Sequence, residues 1–286
     1  MTNLVWSKTL DAAPRGLALA REAQRLLVWT EGHHLVLLSR SGHRQHQIKF
    51  ASPIIAAAIS EDGNNVVAAT SDGRVLGLEP DLSTRWEHSV RGKPTAVAID
   101  PLGMIAAVAT NQNQLAFFYS DGEAGREAQC PRPAHHLAFI PGATSLIAAA
   151  DLGWVASFNL EAGDWVWRDA PVVNFGCLAV AGSGDPILLT CFTEGLRAYR
   201  RNGEVRRISS RFGACRLVAV NYHADLVVTA TMEGVMEGSD LSGKLRFSFK
   251  PTATVSAMAL SALGEDLYLV QGDGVVAAHS LPVAVV

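Results

Sequence analysis

The stretch Ile54-Ile-Ala-Ala-Ala-Ile59, Glu61-Asp-Gly-Asn64, Val66-Val-Ala-Ala-Thr70, Ser71-Asp-Gly73, Arg74-Val-Leu-Gly-Leu78 and Thr84 to Val90 decides the fold. Four short apolar or alternating runs are separated by turn residues at the spacing expected of an all-β chain. Working outward from Ala58, the same pattern returns every 40 residues. An alanine recurs at Ala18, Ala58, Ala98, Ala138, Ala179, Ala219 and Ala259, with one spacing of 41 and the rest of 40. Its neighbours match as well: Leu17 and Leu19, Val97 and Ile99, Leu137 and Phe139, Val218 and Val220. A fixed period of this length marks a repeat architecture. Four strands per repeat is a propeller blade, and seven blades around an axis leave only short sheet edges. The competing reading is helical, because Met104-Ile-Ala-Ala-Val-Ala109 is alanine-rich. Against it, no segment between the Gly, Pro and Asp-Gly punctuation has usual helix length or sustained 3.6-residue periodicity. The expected fold is therefore all-β: a seven-bladed β-propeller of four-stranded antiparallel blades, one domain over residues 1–286.

A second column, twelve residues before each alanine, holds Trp6, His46, Trp86, Arg126, Trp167, Arg207 and Phe247. It falls in the outermost strand of the preceding blade. Trp6 then belongs to an outer strand with no blade before it, while the last repeat would need that position at residue 287, one past Val286. Residues 4–10 are thus expected to form the outer strand of blade seven and close the ring. Val283-Ala-Val-Val286 is the competing candidate for that edge. The alanines are expected where inner strands converge on the axis, so that a small side chain relieves crowding.

Composition narrows the functional classes. The 286 residues are 49% apolar and 18% charged, with 24 basic against 27 acidic side chains and a formal charge of -3. That balance excludes a generally basic nucleic-acid coat. Four scattered cysteines without a CxxC pair predict neither a disulfide scaffold nor a zinc finger, and suit a reducing compartment. No apolar run reaches the length of a membrane helix, and Met1 to Lys8 lacks the basic head and apolar core of an export signal. A cytoplasmic location is expected.

On these residues the chain resembles the WD40 and quinoprotein-like (PQQ-like) propeller superfamily. The resemblance spans essentially the whole sequence. It rests on Glu31-Gly32, Asp72-Gly73, Glu194-Gly195, Glu233-Gly234 and Asp273-Gly274 before the third strands, with Leu152-Gly153 and Asn113 as departures. It rests also on the outer turns Glu161-Ala-Gly163 leading to Trp167 and Asp240-Leu-Ser-Gly243 leading to Phe247. No third strand ends in Trp-Asp, so the hydrogen-bonded tetrad of WD40 blades does not carry over. The resemblance implies a rigid platform for protein–protein interaction. Quinone-dependent dehydrogenases of the superfamily usually have more blades and an export signal, which sets that activity aside here.

Nothing in the sequence places a nucleophile, phosphate cradle or metal: GxSxG, GxxxxGK[ST], HExxH and EF-hand loops are all missing. No catalytic, metal or cofactor residue is assigned, and the cofactor expectation is none. His33-His34 and His135-His136 are adjacent pairs whose side chains should point to opposite faces of a strand. The free thiols Cys130, Cys177, Cys191 and Cys215 should act as small hydrophobes. Two candidate surfaces remain. The carboxylates Glu31, Asp72, Glu194, Glu233 and Asp273 should form an acidic rim on one face, where turn chemistry competes with a binding role. Blade-linking Arg15, Arg91, Lys93, Arg132, Arg211 and Lys250 should make that rim mixed in sign. Blade five carries Arg197, Arg200, Arg201, Arg206, Arg207, Arg211 and Arg216 against Glu204 alone, six charges in excess. These arginines either protect sheet edges or dock an acidic protein segment or phosphate backbone. The leading expectation is a non-catalytic scaffold with a protein partner; an axial-pocket enzyme or small-ligand binder, and a polyanion binder through blade five, are the alternatives.

Overall fold

In the computed structural model, which describes residues 2–209 and 211–282, 28 strands form seven four-stranded antiparallel sheets. Each of six sheets is a simple meander in chain order; the seventh has Asn3–Thr9 as its outermost member. The architecture is the seven-bladed β-propeller that the 40-residue period predicts. The innermost strands are Pro14–Ala20, Ile54–Ile59, Pro94–Ile99, His136–Phe139, Phe175–Val180, Cys215–Val220 and Val255–Leu260, so every recurring alanine lies on an inner strand.

Ring closure runs through the first strand. Asn3–Thr9 pairs antiparallel with Val275–Ser280, in the register Ser7 to Ala277 and Lys8 to Val276. The expected strand began at residue 4 and ended at 10; the observed one starts and stops one residue earlier. Residues 283–286, the competing candidate for that edge, lie outside the described residues.

The core is divided rather than central. Seven apolar clusters each occupy one blade-to-blade interface, because both faces of a four-stranded blade must be covered by its neighbours. Leu26, Val28, Val36 and Leu38 of blade one meet Tyr268, Val270, Val276 and Ala278 of blade seven. Leu146, Ala148 and Phe158 of blade four meet Ala98, Ala107 and Phe117 of blade three. Ala58, Ala98 and Ala219 are buried, the other four recurring alanines are partly buried, and all seven line the space along the axis.

The outer column has a physical role beyond edge composition. Trp6, Trp86 and Trp167 each donate the indole N–H to a carbonyl of the next blade, Arg40 at 2.8 Å, Ser120 at 3.2 Å and Arg201 at 2.8 Å. Each ring lies over the glycine of that same turn, Gly42, Gly122 or Gly203, where an added Cβ would stand 2.6 to 2.8 Å from the indole. These glycines have φ of 79°, 92° and 86°, a region that L side chains rarely enter. Tryptophan on one blade and glycine on the next therefore staple neighbours together. Arg126 takes the same place over Gly163. Blade five is the irregular one: its outer strand is only Val205–Arg206, and Arg207 falls just beyond it.

Candidate functional site

An antiparallel meander sends its connections alternately to the two faces of the disk. One face, here the hairpin face, carries the turns joining first to second and third to fourth strands. The other, the linker face, carries the turns joining second to third strands and the blade-to-blade connections. Between them runs an axial channel of about 590 Å³, walled by inner-strand residues such as Leu17, Ile55, Val97, Leu137, Leu217 and Met258. Each inner strand is the edge of its sheet, so main-chain groups face the channel alongside these side chains.

The mouth on the hairpin face is bridged by three side chains. Three residues after each recurring alanine stand Arg21, Glu61, Pro101, Pro141, Gly182, Tyr222 and Ala262, seven equivalent positions around that mouth. Arg21 of blade one donates from Nε to Glu61 Oε1 of blade two at 2.8 Å and from its backbone N–H to Oε2 at 2.9 Å. Its guanidinium lies 4.3 Å from the ring centroid of Tyr222, on blade six. The Tyr222 ring in turn rests on Gly182 of blade five, where a Cβ would stand 2.2 Å from it. Burial first, then the Glu61 carboxylate, pushes the Tyr222 phenol up to about 12. Arg21 and Glu61 side chains are only 16% and 13% exposed, so this pair is well shielded for a charged one. Side chains from blades one, two and six meet there, at the end of the channel that Arg21 and Glu61 help to line.

The mouth on the linker face is different. The positions three residues before the alanines are Arg15, Ile55, Thr95, His135, Gly176, Arg216 and Ser256, with no carboxylate among them. His136 Nε2 donates to Asp151 Oδ1 at 3.0 Å, and His135 Nδ1 lies 3.4 Å from Oδ2 of the same group. The His136 hydrogen bond holds the Asp151 carboxyl below its ordinary range against the opposing effect of burial. Both histidines of the pair thus reach one carboxylate, contrary to the expectation of opposite faces. The reason is that the inner strand begins at His136, so strand alternation does not apply to His135. Among the described residues no group of three His, Cys, Asp or Glu is placed to hold a metal.

Beside this mouth runs an apolar arc. Leu152, Phe192 and Met232, in the second-to-third-strand turns of blades four, five and six, are 65%, 38% and 50% exposed, and Val172 between blades four and five is fully exposed. Phe192 lies over Gly176 of the inner strand, where a Cβ would be 2.7 Å from the ring. The corresponding turns of blades one, two, three and seven carry Glu31, Ser71, Asn111 and Gly272.

The seven blade-five arginines are spread over the disk. Arg197 pairs with Asp169 at 3.2 Å, Arg206 with Asp185 at 2.9 Å, and Arg200 with Glu204 at 3.8 Å. Arg201 donates to the Pro141 carbonyl at 2.6 Å, toward blade four on the hairpin face. Arg211 lies beside Gly243 in a blade-six turn, and Arg216 sits on the inner strand of blade six and donates to the Val255 carbonyl. Arg207 follows the short outer strand.

The five rim carboxylates all stand in linker-face turns, at different steps. The first residue of each turn donates to the preceding connection, as Glu31 does to Ala13, Ser71 to Pro53, Phe192 to Asn174 and Met232 to Ala214. Glu31 is therefore at the first step, Asp72, Glu233 and Asp273 at the second, and Glu194 at the third. Glu31 faces Arg15 at 3.4 Å. Asp72 accepts from Thr70 at 2.5 Å, Ser52 at 2.7 Å and Arg74 at 3.0 Å, and the Thr70 bond is the first of the causes that hold its carboxyl at about 2.

The thiols are unpaired. Burial pushes Cys130 and Cys191 up to about 11 and Cys215 to about 12, the opposite of what a nucleophilic thiol requires.

This geometry defines a seven-bladed β-propeller whose hairpin-face mouth is crossed by Arg21, Glu61 and Tyr222. Among the solved structures that share the fold over nearly the full chain are two of different kinds. The β-propeller domain of Cps50 (Swd1) from Myceliophteria thermophila superposes with a TM-score of 0.85 at 11% identity, over 99% of this chain and 100% of that one. Hydrazine synthase from Kuenenia stuttgartiensis superposes with a TM-score of 0.82 at 14% identity, over 96% and 98%. At these identities the likeness extends to the fold alone. No family model matches the chain, and no curated protein matches it in sequence.

Proposed function

We propose that the protein is a non-catalytic platform that holds a protein partner on its linker face within a cytoplasmic assembly. The observation that carries this reading is the apolar arc of Leu152, Val172, Phe192 and Met232 beside the linker-face mouth. Exposed large apolar side chains gathered on one sector of one face are the usual mark of an interaction surface. The scaffold beneath is suited to the task, because seven inter-blade cores and three tryptophan staples hold the face rigid, and a rigid face loses little entropy on binding. Four unpaired cysteines accord with a reducing compartment. The test is affinity capture from the native host followed by light scattering of the reconstituted complex, using wild type and a Leu152→Ser/Phe192→Ser/Met232→Ser variant of unchanged melting temperature. A partner bound at fixed stoichiometry to the wild type supports the platform. Turnover of a small molecule by the isolated chain, or a chain that binds no protein at all, refutes it.

A further inference from the structure

Resting on that reading, we infer that the linker-face mouth takes an acidic partner segment that also carries apolar side chains. Its carboxylates meet Arg132 and Arg216, and its apolar side chains meet Leu152, Phe192 and Met232.

The charge argument starts from what holds the two guanidinium groups. Arg132 donates to the carbonyl of Leu152, so its charge stands directly against the apolar arc. Arg216 donates to the carbonyl of Val255, and its own carbonyl accepts from Thr190, fixing it on the inner strand of blade six. Among the described residues neither forms an ion pair, unlike Arg197, Arg200 and Arg206 of blade five. A carbonyl orients a guanidinium without neutralising it, and leaves further N–H donors of the fork for a carboxylate. Asp151 beside the mouth is held by His135 and His136 and keeps its negative charge, one carboxylate against the two guanidinium groups. Glu194 and Glu233 stand in the same turns as Phe192 and Met232 but follow them in sequence, away from the connection that leads into the inner strand. Two guanidinium groups against the one carboxylate of Asp151 leave the side of the arc toward the axis net positive, and complementarity of sign selects an anionic partner.

The apolar arc selects polypeptide over nucleic acid. Sequence-tolerant binding of single strands uses successive aromatic platforms, and the arc offers one aromatic ring, Phe192, among aliphatic side chains. An acidic segment with Leu, Ile or Phe interspersed satisfies both halves of the surface at once.

The experiment is selection of a random peptide library displayed on phage against the intact protein. The enriched sequences are then synthesised and titrated by fluorescence anisotropy at low and raised salt. Enriched peptides should combine carboxylates with large apolar residues. Arg132→Gln/Arg216→Gln should weaken them about tenfold or more and flatten the salt dependence, while Arg132→Lys/Arg216→Lys should keep most of the affinity. Leu152→Ser/Phe192→Ser should weaken them by a similar factor with the salt dependence intact. Enrichment of basic or uncharged sequences, absence of enrichment, or affinities indifferent to these folded variants would overturn the site. So would a single-stranded oligonucleotide that binds more tightly than the selected peptides and competes with them. A native partner held at fixed stoichiometry whose binding ignores both variants overturns this site and leaves the platform reading standing.

Discussion

Replacing Trp6 by alanine tests how the ring is closed, and the structure sets its size. Trp6 is partly buried between the last blade and the first, 6.3 Å from the Tyr268 ring centroid, over Gly42, with its indole N–H on the Arg40 carbonyl at 2.8 Å. Full burial of a tryptophan makes its truncation cost about 3–5 kcal/mol; partial burial brings that to about 2 kcal/mol by the same scaling. The lost hydrogen bond adds about 1 kcal/mol. For a chain of this size, about 3 kcal/mol corresponds to roughly 5 °C in melting temperature. Thermal unfolding followed by circular dichroism reads the shift, with Trp86→Ala and Trp167→Ala as matched controls whose indoles make the same contact within the ring. Comparable losses are expected in all three, together with new protease cleavage within residues 1–10 of the Trp6→Ala chain. A shift below about 1 °C for Trp6→Ala, beside full losses in the controls, would refute the closure argument.

Glu61→Gln leaves the Arg21 guanidinium shielded without its carboxylate and should lower stability by about 2 kcal/mol, read from the denaturant midpoint. The same variant should bring the Tyr222 phenol down from about 12. Because that phenol titrates higher in the folded chain, its contribution to stability is present below pH 10 and lost as pH rises toward 12, so the alkaline fall between those values should shrink in Glu61→Gln, which ultraviolet difference titration and melting curves together check. Asp72 works in the opposite sense: held at about 2 against an ordinary 3.8, its contribution is present above pH 3.8 and lost as pH falls to 2. Asp72→Asn should flatten that acid limb, with only about a degree or two of change at neutral pH, since the group is substantially exposed. Ala98→Phe should overpack the interface of blades three and four at about 1–3 kcal/mol, measured against Ala98→Gly.

The fold was legible because a propeller writes its symmetry into the sequence. Ala18 to Ala259 mark the inner strands, and Trp6 marks a strand out of phase with the chain ends. The site was less legible, because side chains act across the ring while sequence columns were read along it. Trp6, Trp86 and Trp167 stood out as outer-strand residues, yet their partners are glycines 36 residues on in the next blade, Gly42, Gly122 and Gly203. The Arg21, Glu61 and Tyr222 bridge went unread although its column, three residues past each alanine, is as regular as the others. One charged pair and one phenol among Pro, Gly and Ala was the available signal. The apolar arc is harder to read for another reason: Leu152, Phe192 and Met232 recur 40 residues apart, but in only three of the seven turns, since the others carry Glu31, Ser71, Asn111 and Gly272. The five carboxylates matched as Asp-Gly and Glu-Gly dipeptides, but dipeptide matching ignores which step of the turn each occupies. His135 fell outside the alternation rule because its strand starts one residue later.

Cross-linking of Ser7→Cys to Ala277→Cys tests the ring most directly, since these positions face each other across the closing pair of strands. Under mild oxidation a disulfide should form between them in the monomer, found by peptide mapping, with a raised melting temperature. A monomer in which both introduced thiols stay free to alkylate, or in which residue 7 is found linked elsewhere, would contradict it.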